Sequence, residues 1–131
     1  MKELLLISIL FFSSLNSEVE NKREKTLKLS YNAIACSCAQ WSESKFNKKP
    51  EKRIYYYIER ANPKLMDAQD LWNGNNIPLE IEITGEIVTE NGLPSYYKYN
   101  SKSGKGELEP GIVFRYTKIK VLRNGTKKNS H

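Results

Sequence analysis

The chain has few of the residues from which catalytic and metal centres are usually built. Its single histidine is His131, at the far end of the sequence, and its only cysteines are Cys36 and Cys38. With no histidine inside the fold, no imidazole can be positioned as the general base of a hydrolytic triad. A closed thiolate site for Zn²⁺ or Cu(I) takes about four ligands. Beyond the cysteines and the first residue, only His131 and Met66 offer nitrogen or sulfur donors of that kind. No cofactor is expected, and the composition points away from an enzyme.

Long apolar runs are also scarce. The one that exists extends from Leu4 to Leu15, broken only by Ser8, Ser13 and Ser14. A membrane-spanning helix needs ~20 apolar residues, whereas the apolar region of a secretory signal needs ~7–15. Residues 1–17 are therefore expected to be a cleaved signal, with Ser14 and Ser17 as the small residues preceding Glu18. No second run follows, so the mature chain is expected to have no transmembrane helix and to be exported, to the periplasm, the envelope or beyond.

The 21 Lys and Arg residues outnumber the 15 Asp and Glu, for a formal charge of +6. Loss of residues 1–17 removes Lys2 and Glu3 together and leaves that surplus intact. A basic domain is drawn weakly to anionic surfaces such as phosphate, sulfated sugar or lipid head groups.

After the signal, residues 18–35 read as a polar linker of alternating charge, with almost nothing apolar to bury. Residues 36–123 read as a β domain, and 124–131 as a disordered tail. In the domain, Arg53 to Glu59 alternates as a strand with apolar side chains on both faces. Asn62-Pro63 predicts a helix start, with Leu65, Met66, Ala68, Leu71 and Trp72 on its apolar side and Asn73-Gly74 ending it. Pro78 to Glu90 places Leu79, Ile81, Ile83 and Ile87 on one face and Glu80, Glu82, Thr84, Glu86 and Glu90 on the other.

Gly85 interrupts the inward series, which predicts a bulge or sharp bend. Asn91-Gly92 predicts a tight turn, Tyr96 to Tyr99 a short return strand, and 100–110 a loop. In the last strand, Ile112, Phe114 and Tyr116 are out of phase with Ile119 and Val121, so a second bulge is expected near Thr117-Lys118. Lys118, Lys120 and Arg123 are then placed to face Glu80, Glu82 or Glu86. The expected fold is mainly β: a small antiparallel sheet or partly open OB-like barrel of about four or five strands, with one short helix.

Cys36 and Cys38 admit several readings. A disulfide between positions i and i+2 must bend the backbone to bring the Cα atoms into the ~4.4–6.8 Å window, and it closes too short a loop to stabilise much. A soft-metal site or a redox couple is the second reading. A lipid anchor is the third, because Ala33-Ile34-Ala35-Cys36 is similar to a bacterial lipobox with alanine in place of leucine. The charged stretch from Glu18 to Lys28 separates it from the apolar run that a lipobox should close.

Tyr55, Tyr57, Tyr96, Tyr97 and Tyr99, interleaved with Lys98, Lys102 and Lys105, form the best binding constellation. Aromatic faces stack on sugars or bases while lysines hold phosphate or sulfate. The same tyrosines equally serve to complete a small core with their hydroxyls at its rim. Glu80 and Glu82 share a strand face, a pattern that solvated, charge-paired faces also produce.

Cys36-Ser37-Cys38-Ala39-Gln40-Trp41, Ile58-Glu59-Arg60-Ala61-Asn62-Pro63 and Val113-Phe114-Arg115-Tyr116-Thr117 resemble segments of a group of small exported bacterial proteins of unknown function. That resemblance implies export and a compact β domain. The cysteine run is also similar to the Cys-x-Cys of netrin-like and metalloproteinase-inhibitor modules, which implies an OB-type barrel. Their cysteines pair with distant partners, which this chain does not have.

The sequence thus predicts a non-enzymatic envelope or extracellular binding module for an anionic or saccharide partner, with nucleic acid not expected. The alternative is a thiol-based redox or soft-metal-handling protein centred on Cys36 and Cys38.

Overall fold

Alternation of apolar and charged residues in the longest strand organises the molecule. In the computed structural model, which describes residues 23–97 and 108–125, Leu79, Ile81 and Ile83 are buried while Glu80, Glu82 and Thr84 stand half exposed. Strand β4 (Leu79–Gly92) carries this pattern and lies between β1 (Lys25–Tyr31) and β5 (Gly111–Asn124). With β2 (Trp41–Glu43) and β3 (Tyr55–Arg60), they close a five-stranded barrel in the order β1-β2-β3-β5-β4. The fold is an OB-like, mainly β barrel.

Every pairing is antiparallel except β3 with β5, which run parallel from Tyr56–Ile112 to Arg60–Tyr116. An all-antiparallel sheet is thereby corrected. Parallel neighbours need a long crossover, and the chain between β3 and β5, which includes β4, supplies it.

Both expected bulges are present, and they are one feature. The β4–β5 register runs Thr84–Lys118 and then Gly85–Tyr116, leaving Thr117 as the extra residue. A methyl group at Gly85 would collide with the Arg115 carbonyl and come within 2.7 Å of Tyr116 Cα. Only glycine permits so close a crossing of the two backbones. The same register sets Glu82 beside Lys120 and Glu80 beside Arg123, pairs worth a few tenths of a kcal/mol each.

The expected linker over 18–35 is not a linker where it is described. Lys25–Tyr31 forms β1, paired with β4 from Lys25–Gly85 to Ser30–Glu80. Two inward side chains, Leu27 and Leu29, are enough to seat it, because the ladder with β4 satisfies its backbone and the charged residues project outward. The β domain therefore begins before Cys36, and β5 continues through Asn124.

The expected helix after Asn62-Pro63 is reduced to one 3₁₀ turn, Ala68–Asp70, which is one of four such turns among the described residues. Tyr116 explains this. Its buried hydroxyl donates to the Met66 carbonyl at 2.6 Å and accepts from the Ala68 N–H at 2.9 Å. Those backbone groups serve the barrel floor instead of a helical ladder. A 3₁₀ turn, Ser95–Tyr97, also stands where the return strand is expected. The signal over 1–17, Lys98, Tyr99 and residues 126–131 lie outside the described residues.

The core holds Leu27, Leu29, Trp41, Tyr56, Ile58, Leu79, Ile81, Ile83, Phe114 and Tyr116. Among the described residues, no helix is long and apolar enough to cross a membrane.

Candidate functional site

Loop 32–40, between β1 and β2, is held by its own side chains. Asn32 donates through Nδ2 to the carbonyls of Ser30 (3.2 Å) and Gln40 (2.8 Å) and to Ser42 Oγ (3.0 Å). Gln40 clamps the loop from within: Oε1 accepts from Ile34 N–H at 2.6 Å, and Nε2 donates to the Ile34 carbonyl at 2.9 Å. Ala33 takes a left-handed backbone, φ +52°, to begin the turn. The excursion brings Cys36 and Cys38 to a Cα separation of 5.3 Å, with their sulfurs bonded as a disulfide.

The loop between β4 and β5 meets this one through main-chain atoms. Glu109 N–H donates to the Ser37 carbonyl at 2.8 Å. The Tyr57 hydroxyl donates to the Glu109 carbonyl, and the Tyr97 hydroxyl accepts from Leu108 N–H at 2.9 Å. Residues on either side of the Tyr/Lys loop are thus fastened to the barrel and to the cysteine turn.

A cleft of about 390 Å³ lies between the two loops. Cys36, Cys38, Tyr57, Tyr96 and Tyr97, all singled out from the sequence, line it. Tyr31, Gln40, Trp41, Tyr56, Gln69 and Leu108 complete the wall. Tyr31 packs edge-on to Trp41 at 5.1 Å and lies tilted against Trp72 at 4.8 Å between ring centroids. No Asp, Glu, Lys or Arg lines the cleft among the described residues.

The tyrosines divide by exposure. Tyr57 and Tyr97 are 4% and 7% exposed, and both hydroxyls are spent on backbone groups. Tyr96 is 45% exposed and presents its ring to solvent. Burial raises the pKa of Tyr31, Tyr56 and Tyr57, with Glu109 a further cause at Tyr57. The Tyr96 phenol is raised most, by desolvation and then by Tyr57 and Glu59. These hydroxyls stay protonated at neutral pH.

Tyr55 packs beside Ala39, Tyr57 and Val113 and does not line the cleft. Lys98 and Tyr99 lie outside the described residues. Glu80 and Glu82 are on the outer face of β4 and do not line the cleft. No group of three or more His, Cys, Asp or Glu able to hold a metal occurs among the described residues.

Tyr31 and Trp41 were not apparent as site residues from the sequence. Their signal was position, since each is a strand-end aromatic flanking the cysteine turn. No protein-family model, curated protein or solved structure matches the chain.

Proposed function

We propose that the chain is a non-enzymatic binding module of the cell envelope or extracellular space, holding a saccharide or anionic partner in the cleft between loop 32–40 and the described residues Tyr96, Tyr97 and Leu108 of the β4–β5 connection. The observation that carries this reading is the convergence of aromatic side chains, with Tyr96 exposed among them, on a cleft clasped by backbone hydrogen bonds. Rings already held in place stack on a ligand without a large ordering cost. OB-type barrels bind oligosaccharides and oligonucleotides with the face of strands 2 and 3 and with the loops after strands 1 and 4, and this cleft has that location. Phosphate contacts dominate nucleic-acid affinity, and the lining, uncharged among the described residues, favours a sugar over such a ligand.

Tyr96→Ala tests the reading. A screen of immobilised glycans selects the tightest ligand, and calorimetry then compares the two proteins. The variant should bind about tenfold or more weakly, as expected from losing one stacking ring, with its thermal unfolding unchanged. Equal affinity removes the hypothesis. Tyr97 is the wrong residue to test, because its buried hydroxyl fastens the loop.

A second reading rests on the cysteine pair lining the same cleft. Thiol–disulfide exchange there would pass two electrons and two protons from a partner dithiol, leaving Cys36 and Cys38 reduced and the partner bridged. Mass spectrometry of protein from its native compartment that finds a pair that never cycles would end this reading.

A further inference from the structure

Tyr96 also lines a second hollow, of about 420 Å³, shared with Glu59, Arg60, Asp67, Ser95 and Arg115. Where the first cleft is lined by uncharged groups among the described residues, this one is built of ion pairs. Glu59 is 6% exposed, and a carboxylate so buried persists only when paired and hydrogen-bonded. Its Oε1 accepts from Ser95 N–H at 2.7 Å. Its Oε2 accepts from Arg115 Nε at 2.9 Å and lies 2.8 Å from Arg115 Nη2.

The bonds to Glu59 fix the Arg115 guanidinium along one edge. Nη1 takes no part in them, and the side chain is 44% exposed. Arg60 is held in a similar way. Its Nη1 donates to the carbonyls of Pro63 and Leu65, both at 3.2 Å, and its Nε lies 3.8 Å from Asp67 Oδ2. Its Nη2 is not used in these contacts. Two guanidinium groups are thus fixed by the protein and, among the described residues, present unused donors in a hollow walled by an exposed ring.

We propose that the cleft and the hollow form one groove for an acidic oligosaccharide, with a sugar ring against Tyr96 and a uronate-type carboxylate on the outward donors of Arg115 and Arg60. The inference rests on the binding reading above and narrows its ligand. A planar guanidinium edge matches a carboxylate in two parallel hydrogen bonds. Arg60 and Arg115 are balanced in formal charge by Glu59 and Asp67, so a carboxylate is held there by directed hydrogen bonds rather than by a net positive field. Both hollows fall within the ~300–1,000 Å³ range of small-ligand sites.

The test titrates the full chain with oligogalacturonates of graded length and with their methyl esters, which keep the rings and lose the charge, alongside an array of neutral and sulfated glycans. The acid should bind about tenfold or more tightly than its ester, as a charge-assisted pair predicts. Arg60→Gln should remove that preference while leaving the ester's affinity alone. Asn62→Asp, which keeps the oxygen that accepts from Lys64 N–H at 3.0 Å and adds negative charge to the hollow, should weaken the acid alone. This second variant decides the matter if Arg60→Gln does not fold.

Equal affinity for acid and ester, or a preference for neutral or sulfated glycans, overturns the inference and leaves the binding module standing. Failure to bind any glycan overturns both.

Discussion

The hydroxyl of Tyr97 accepts a hydrogen bond from the backbone N–H of Leu108 at 2.9 Å, closing the long loop after β4 on itself. Tyr97 is 7% exposed, so this is a nearly buried phenol fastening both ends of the Tyr/Lys segment. Tyr97→Phe keeps the ring and deletes the clasp. Loss of about 1 kcal/mol of stability is expected, with faster amide exchange at Leu108 than at Val113. Hydrogen exchange read residue by residue checks this, and an unchanged Leu108 rate would refute the clasp.

Burial raises the pKa of Tyr31, Tyr56, Tyr57, Tyr96 and Tyr116 above the ordinary value of 10.0. In the unfolded chain these phenols ionise near that ordinary value, while in the barrel they hold their protons to higher pH. The folded state therefore binds more protons above about pH 10, and its stability falls as pH rises. Below that point the contribution is fully present and flat with pH. Tyrosinate absorbance followed during an alkaline titration should show most phenols ionising together with the loss of the barrel. Independent ionisation of a folded protein near pH 10 would contradict the burial.

Gly85→Ala places a methyl group against the Arg115 carbonyl and 2.7 Å from Tyr116 Cα. Neither neighbour is a flexible side-chain end, so the two strands must separate at the bulge. A loss of roughly 3 kcal/mol in urea unfolding is expected, in the class of severe backbone or packing clashes. Gly74→Ala provides a contrast. That glycine has open space around it and a φ of +107°, so its cost is conformational rather than steric.

The sequence made β4 legible because it buries one face, and a half-buried strand writes its period into the residue order; β5 was legible because Ile112, Phe114 and Tyr116 keep that period even though Val113 is buried in a second cluster. The change of phase between Tyr116 and Ile119 likewise recorded the bulge. β1 was hidden because two leucines among lysines look like a spacer until β4 lies beside them, and β2 is only three residues long. The parallel pairing of β3 with β5 leaves no local pattern, since it depends on which distant strand becomes the neighbour. The predicted helix after Asn62-Pro63 lost to the Tyr116 hydroxyl, a competitor from the far end of the chain. The cysteines and tyrosines of the site were visible separately. Their meeting in one cleft was not, because loops remote in sequence come together only when the barrel closes.

The bond between Ser37 and Glu109 runs from carbonyl to amide, so the gauge of the cleft is set by atoms that every residue type except proline supplies. Tyr57, Tyr97 and Gln40 add side-chain bonds to that frame, whereas the exposed Tyr96 ring takes no part in these bonds and can be exchanged without resetting the gap. The width of the cleft and the chemistry of the exposed Tyr96 ring are therefore separable properties of the barrel.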